Sequence, residues 1–310
     1  MPDVASPPAA FSPRDRHASS AAPTVGALAR EMTALLAGAL GDAAAAEANE
    51  LLAALHDQAR HWPMLARETI LDAPAWDAGL AAAVRRAAGA PLQYAAGVAA
   101  FRHLTLHVDE RVLIPRPETE QLVELVLDAT PDEPGGIAVD VGTVSGAIAL
   151  ALASEGRFER IIATDISRDA LDVARVNVAR CASVLRASVE LRHGSLLAPV
   201  SERSIRAVVS NPPYIAFDEA DTLPASVRDW EPSVALFSGE NGMAATAQLM
   251  REAADVLAPG GLLALEVDAR RASLAAGLAT AHGGYEDVQV MRDLTGRERF
   301  VVARRREEQR

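Results

Sequence analysis

The chain has 310 residues, 50% of them hydrophobic, and a formal net charge of -12, which allows one large domain plus a small one and argues against a broad basic face for nucleic acid. Every basic side chain is Arg, with no Lys, which excludes Schiff-base chemistry and a phosphate-loop lysine. The lone Cys181 excludes an internal disulfide and suits a reducing cytoplasm, and no apolar run reaches the ~20 residues that cross a bilayer, so no membrane partner is expected.

Residues 1–24 are rich in Ala, Ser and Pro, lack the apolar segment of a secretory signal, and read as a disordered leader. From Val25 the pattern turns helical. Val25, Leu28, Met32, Leu35, Leu36 and Leu40 recur at spacings of three and four, and Gly41 stops the helix. A second helix is expected over 42–60, with Leu51, Leu52 and Leu55 inward, and two shorter ones over 63–71 and 74–88. Residues 25–90 thus read as a small bundle of amphipathic helices. Residues 91–116 read as a linker built on a β-hairpin, with strands 101–108 and 111–114 joined at Asp109-Glu110. Pro115-Arg116-Pro117-Glu118-Thr119-Glu120 then opens a helix, with proline at its start and acids in its first turn.

From Ile137 the signal is α/β, and residues 117–310 are expected to form one such domain. Strands are expected over 137–142, 160–166, 189–192, 205–209 and 262–267, with helices between them and a closing antiparallel pair over 286–291 and 299–303. Strands alternating with helices give a doubly wound, mostly parallel sheet, which binds ligands at its C-terminal strand ends. Gly142 to Gly146 form a Gly-rich turn between the first strand and its helix, where a ligand can approach the backbone. Asp165 ends the second strand, where an acid takes up ribose hydroxyls. The spacing is Asp-x-Gly-x-Val-x-Gly, unlike the G-x-G-x-x-G of dinucleotide folds.

The fourth strand runs into Asn211-Pro212-Pro213-Tyr214. Two prolines fix φ and lack N–H donors, so the strand ends stiffly there. An Asn amide offers an acceptor and two donors in one plane, suited to a planar amide or amino group, and Tyr214 adds a ring face. On its own such a turn is an ordinary strand stop. After a cofactor-type βαβ unit it reads as a grip that aims an sp2 nitrogen at an electrophile.

Taken together, these features resemble the class I S-adenosylmethionine-dependent methyltransferases. Pro91-Leu92-Gln93-Tyr94, the hairpin, the Pro-Arg-Pro-Glu-Thr-Glu segment, Asn211-Pro212-Pro213-Tyr214-Ile215, and Glu231-Pro232 with Ala235-Leu236 occur in the order seen in the HemK/PrmC family. Its members are the protein-(glutamine-N5) methyltransferases of peptide chain release factors. The resemblance implies S-adenosylmethionine held by Asp140, Gly142, Thr143, Gly146, Asp165, Ser195 and Asn211, with Asp140 near the sulfonium. It implies that Asn211, Pro212, Pro213 and Tyr214 hold the glutamine of a Gly-Gly-Gln loop, that Arg116, Pro117, Glu118, Thr119 and Glu231 lie on the substrate side, and that the helical bundle helps dock the release factor onto a monomeric enzyme.

Three positions depart from the family pattern. Val144 stands where a glycine is usual, Gly194 is followed by Ser195-Leu196 where an acid is usual, and Glu266-Val267-Asp268 replaces Glu-Ile-Gly. If position 144 needs a positive φ, a β-branched residue there costs about 1–3 kcal/mol. These departures leave open a relative acting on a small biosynthetic molecule, or a non-catalytic binding module.

Overall fold

The computed structural model describes residues 23–130 and 134–307. Residues 1–22 of the expected leader lie outside the described residues. Pro23 and Thr24, assigned to that leader, are tied to the helical bundle instead: Leu71 donates its N–H to the Pro23 carbonyl at 2.7 Å, and Thr24 Oγ1 caps the first helix by accepting from Ala27 N–H at 3.3 Å.

That helix, α1 (Val25–Leu40), ends at Gly41 as its spacing predicts. α2 (Ala44–Leu55) is shorter than the expected 42–60, α3 (Trp62–Leu65) is a single turn where a longer helix was expected, and α4 (Ala73–Ala87) completes the bundle. Leu28, Met32, Leu36, Leu51 and Leu52 are fully buried between α1, α2 and α4 and form a hydrophobic cluster of their own.

After the short α5 (Leu92–Ala96) comes the hairpin, displaced from its expected place. β1 (Val98–Phe101) pairs antiparallel with β2 (Leu104–His107), and the turn is Arg102-His103, not Asp109-Glu110. Arg102 takes φ +52 without being glycine. The turn is secured from outside, because the Arg102 N–H meets Glu120 at 2.9 Å and its guanidinium meets Glu155 and Glu124, each at 2.6 Å. Residues 111–114 are not a strand. Their alternation has another cause: Val112 and Ile114 are buried in a strap packed on Tyr94, whose hydroxyl donates to the Val112 carbonyl at 2.5 Å.

The rest of the described chain is a seven-stranded sheet in the order β5-β4-β3-β6-β7-β9-β8. β3 (Ile137–Val141), β4 (Arg160–Asp165), β5 (Ser188–His193), β6 (Ile205–Ser210) and β7 (Leu257–Glu266) are parallel, while β8 (Tyr285–Arg292) and β9 (Glu298–Arg305) add the closing antiparallel pair. α6 (Pro117–Ala129), α7 (Ala147–Glu155) and the C-terminal part of α8 (Arg168–Cys181) bury one core cluster against the sheet. After β6 come the single turns α9 (Ala225–Arg228), α10 (Ser233–Leu236) and α11 (Gly239–Gly242), the last with Glu240 and Asn241 left-handed. α12 (Ala244–Val256) and α13 (Ala272–His282) cover the other face. Strand order reverses between β3 and β6, and at such a switch point the helices on either side diverge and open a cleft beyond the strand ends. The C-terminal ends of β3, β4, β6 and β7 carry the 142–146 turn, Asp165, the 211–214 turn and Glu266.

Candidate active site

Beyond the switch point lies a cavity of about 350 Å³. Of the residues named from the sequence it is lined by Gly142, Asp165, Ser195, Asn211 and Pro213. A pocket of about 30 Å³ adjoins it, lined by Arg116, Thr119, Gly142, Thr143 and Asn211 among others. Leu113, Gly142, Val144 and Asn211 line both, so they stand where the two meet. Asp140, Gly146, Pro212, Tyr214, Pro117, Glu118 and Glu231 line neither.

Asp140 lies beneath the floor. It is fully buried, and its Oδ2 accepts from the Thr143 hydroxyl at 2.6 Å and from Ala149 N–H at 3.0 Å, so it pins the turn to the start of α7. Its Oδ1 is buried with no hydrogen-bond partner among the described residues. Burial outweighs those two hydrogen bonds and pushes the carboxyl up to about 7. Asp165 reaches across the turn: its Oδ2 accepts from Val144 N–H at 2.8 Å and its Oδ1 from Ser167 N–H at 2.8 Å, with burial again raising its pKa. Gly142 has φ +72, and a Cβ built there meets nothing within 4 Å, so bare backbone faces the cleft. Val144 has φ +54. The left-handed conformation expected to be awkward at this position is present, and the valine adopts it.

At the end of β6, Asn211 Nδ2 donates to Thr119 Oγ1 at 3.2 Å, and Thr119 Oγ1 donates to the buried Glu266 Oε2 at 2.7 Å. Burial pushes Glu266 up to about 7 despite that hydrogen bond and the nearby Arg299. Tyr214 is backed by a close approach of chain: Gly242 has φ +82, and a Cβ there would sit 2.2 Å from the Tyr214 carbonyl oxygen. Arg116 forks onto Glu231 at 2.7 and 2.8 Å. The Glu231 side chain is 1% exposed, and desolvation outweighs the ion pair, so its pKa is raised. Ser195 is exposed at the cavity rim, Glu118 is half-buried and Pro117 is exposed.

Residues 118–225 match the methyltransferase small domain, and residues 27–97 match the PrmC N-terminal domain. The chain is 45% identical over 224 residues to the release factor glutamine methyltransferase of Moorella thermoacetica, covering 72% of this chain and 78% of that one. It belongs to the release factor glutamine methyltransferase family. A family relative from Streptomyces coelicolor is 37% identical over 263 residues, 84% of this chain and 90% of its own. A solved methyltransferase from Pyrococcus furiosus shares the fold, with a TM-score of 0.51 at 20% identity over 67% of this chain and 92% of that one.

The cleft of this family member suits S-adenosylmethionine, the cofactor of class I methyltransferases. The unpartnered Asp140 Oδ1 places an uncompensated acceptor below the floor, where a cationic group would be favoured, and the bare Gly142 backbone leaves room for close approach. Sequence reasoning gave no site role to two residues. One is Glu266, a lone acid at the end of the apolar strand Leu262-Leu263-Ala264-Leu265; a charge that ends such a run is itself a signal of function. The other is Phe237, which lines the cavity and stacks on the exposed Phe217 with ring centroids 5.7 Å apart, a pairing across a long loop that no periodicity reveals.

Proposed function

We propose that the chain transfers a methyl group from S-adenosylmethionine to the side-chain amide nitrogen of the glutamine in the Gly-Gly-Gln loop of a peptide chain release factor. The observation that carries this reading is the position of Asn211, which lines both cavities together with Gly142 and Val144 of the Gly-rich turn. Gly142, Thr143, Gly146, Asp165 and Ser195 hold the cofactor in this reading, with Asp140 beneath it. When bound, S-adenosylmethionine supplies a methyl group on a positively charged sulfur.

A carboxamide nitrogen is a poor nucleophile because its lone pair is delocalised into the carbonyl. Asn211 Oδ1 and the Pro212 carbonyl accept its two N–H bonds, which fixes the plane of the amide and lets the nitrogen pyramidalise toward the methyl. Pro213 keeps the turn rigid, and Tyr214 packs on the amide and excludes water. The methyl's bond to sulfur would break as its bond to nitrogen forms, leaving a neutral thioether, and the proton the nitrogen gives up passes to bulk solvent as the product leaves, so positioning and fixed dipoles do the work with no covalent intermediate. Arg116, Pro117, Glu118 and Thr119, with Glu231 behind Arg116, shape the substrate side, and the helical bundle docks the rest of the release factor.

The test is intact mass of a bacterial release factor incubated with the protein and S-adenosylmethionine. A gain of one methyl on that glutamine is expected. Asn211→Ala should keep cofactor affinity and lose most turnover; no methyl with native protein, or equal loss of affinity and turnover in the variant, would overturn the reading.

A further inference from the structure

An Asn side chain is nearly symmetric in shape but not in chemistry: turned one way it offers a carbonyl oxygen to the cleft, turned the other way an NH2. Only the first accepts an amide N–H. The side chains behind Asn211 decide between them. Glu266 ends β7, is 1% exposed, and has Thr119 as its hydrogen-bond partner. A carboxylate only accepts hydrogen bonds, so the single Thr119 hydroxyl proton is committed to Glu266 Oε2 at 2.7 Å. The Thr119 oxygen then has lone pairs to offer and no proton, and the group 3.2 Å away on Asn211 must be the donor. Three groups, from α6, the turn after β6, and β7, thus form a one-way chain that leaves Asn211 Oδ1 as the atom free to accept from the cleft.

We propose that Glu266, acting through Thr119, is a positioning residue that sets the direction of the Asn211 amide and so makes it an acceptor for the substrate N–H. The role rests on the methyl transfer proposed above, and it moves Thr119 from substrate contact to support of Asn211. The charged and titratable groups that face Glu266 are Arg299 on β9, Arg116 and Glu118 at the start of α6, and Tyr214 after β6. Its carboxyl lies near 7, so the test is run at about pH 8.5, where it is an acceptor.

Thr119→Val keeps the shape and removes the relay, whereas Thr119→Ser keeps the hydroxyl. With cofactor saturating, Thr119→Val should lower kcat about ten-fold, the worth of one hydrogen bond, with cofactor affinity within about two-fold of native. Thr119→Ser should restore most of the rate. In an Asn211→Ala background Thr119→Val should cost nothing more, because the group it orients is gone. If Thr119 and Glu266 only tie α6 to the sheet, the losses will be additive, or serine will fare as badly as valine, and the proposal falls. A second readout needs no substrate. The Asn211 side-chain NH2 resonances, assigned by their loss in Asn211→Ala, should be slow to exchange in native protein and fast in Thr119→Val. Equal exchange in both would refute the relay whatever the substrate is, whereas protection without methyl transfer by native protein would count against the proposed reaction and leave the relay standing.

Discussion

Replacing Asp140 with Asn should stabilise the ligand-free protein at high pH while weakening its hold on the cofactor. The carboxyl is fully buried and raised from 3.8 to about 7, with desolvation the largest cause. A group whose folded pKa lies above its unfolded one binds extra protons on folding. Its favourable contribution is therefore complete below about 3.8 and is lost as pH rises through about 7. At about 1.4 kcal/mol per pKa unit, this shift leaves the native state carrying roughly 4 kcal/mol of charge-burial cost at pH 8. In the Asp140→Asn variant the amide oxygen can take the place of Oδ2, which accepts from Thr143 and Ala149 at 2.6 and 3.0 Å. The NH2 then falls where Oδ1 has no partner, a penalty of about 1–3 kcal/mol. The net is a gain of about 1–3 kcal/mol at pH 8, a few degrees of melting temperature, shrinking or reversing at pH 5, where the native carboxyl is protonated. Circular-dichroism melts of ligand-free native and variant protein at both pH values measure this as a difference, so the like-signed contributions of Asp165, Glu231 and Glu266 cancel. Calorimetry at pH 8 should show about ten-fold weaker S-adenosylmethionine binding, from the lost charge under a cationic ligand. A variant that melts lower at pH 8, or a difference that ignores pH, would refute the account of Asp140 as an uncompensated buried charge.

Arg116→Ala leaves Glu231 buried without its cation and should cost about 3–5 kcal/mol in urea unfolding, with Glu231→Gln in the same chain recovering part of it; no change would mean that water reaches Glu231. Gly242→Ala forces a Cβ to within 2.2 Å of the Tyr214 carbonyl oxygen at φ +82, so turnover should fall at least ten-fold while cofactor affinity, read by calorimetry, changes little. Val144→Gly should leave unfolding stability within about 1 kcal/mol of native, because relief of strain offsets lost packing and added chain entropy, and should not weaken cofactor binding.

Four of the parallel strands were legible by short apolar stretches, 137–139, 161–163, 207–209 and 262–265, the mark of strands buried on both faces, whereas the edge strand β5 shows only the alternation of Val189 and Leu191 with polar residues. The hairpin was misplaced because its turn lacks the Gly or Asn that announces positive φ; Arg102 is held in that conformation by acids from α6 and α7, distant in sequence. The strap at 111–114 alternates like a strand because it, too, buries every second residue, though against Tyr94 and not against a partner strand. At the site, Gly142, Asp165, Ser195, Asn211 and Pro213, five of the cavity-lining residues, were named from the sequence. Their support was not, since the bond from Thr119 to Glu266 spans 147 positions and nothing local records it.

Val144 shows how a departure from a family pattern can leave a site's geometry in place. The backbone there is left-handed, at φ +54, within a turn whose Gly142 and Gly146 also take positive φ, +72 and +85. Its N–H then points to Asp165 Oδ2 at 2.8 Å, a charge-assisted bond worth more than a neutral one. The isopropyl group is half-buried against the cluster of Tyr94, Val108, Val112, Ile114, Ala170 and Val173, and half the burial of a valine is worth about 1 kcal/mol. These gains are of the same order as the ~1–3 kcal/mol of strain in a non-glycine αL residue. A glycine in this place would avoid the strain but remove the apolar anchor, leaving the turn held by its hydrogen bonds, such as that of Thr143 to Asp140. With valine, the turn that fronts the cleft is also fastened by its side chain to α5, α8 and the 108–114 strap, so its shape is set before any ligand arrives.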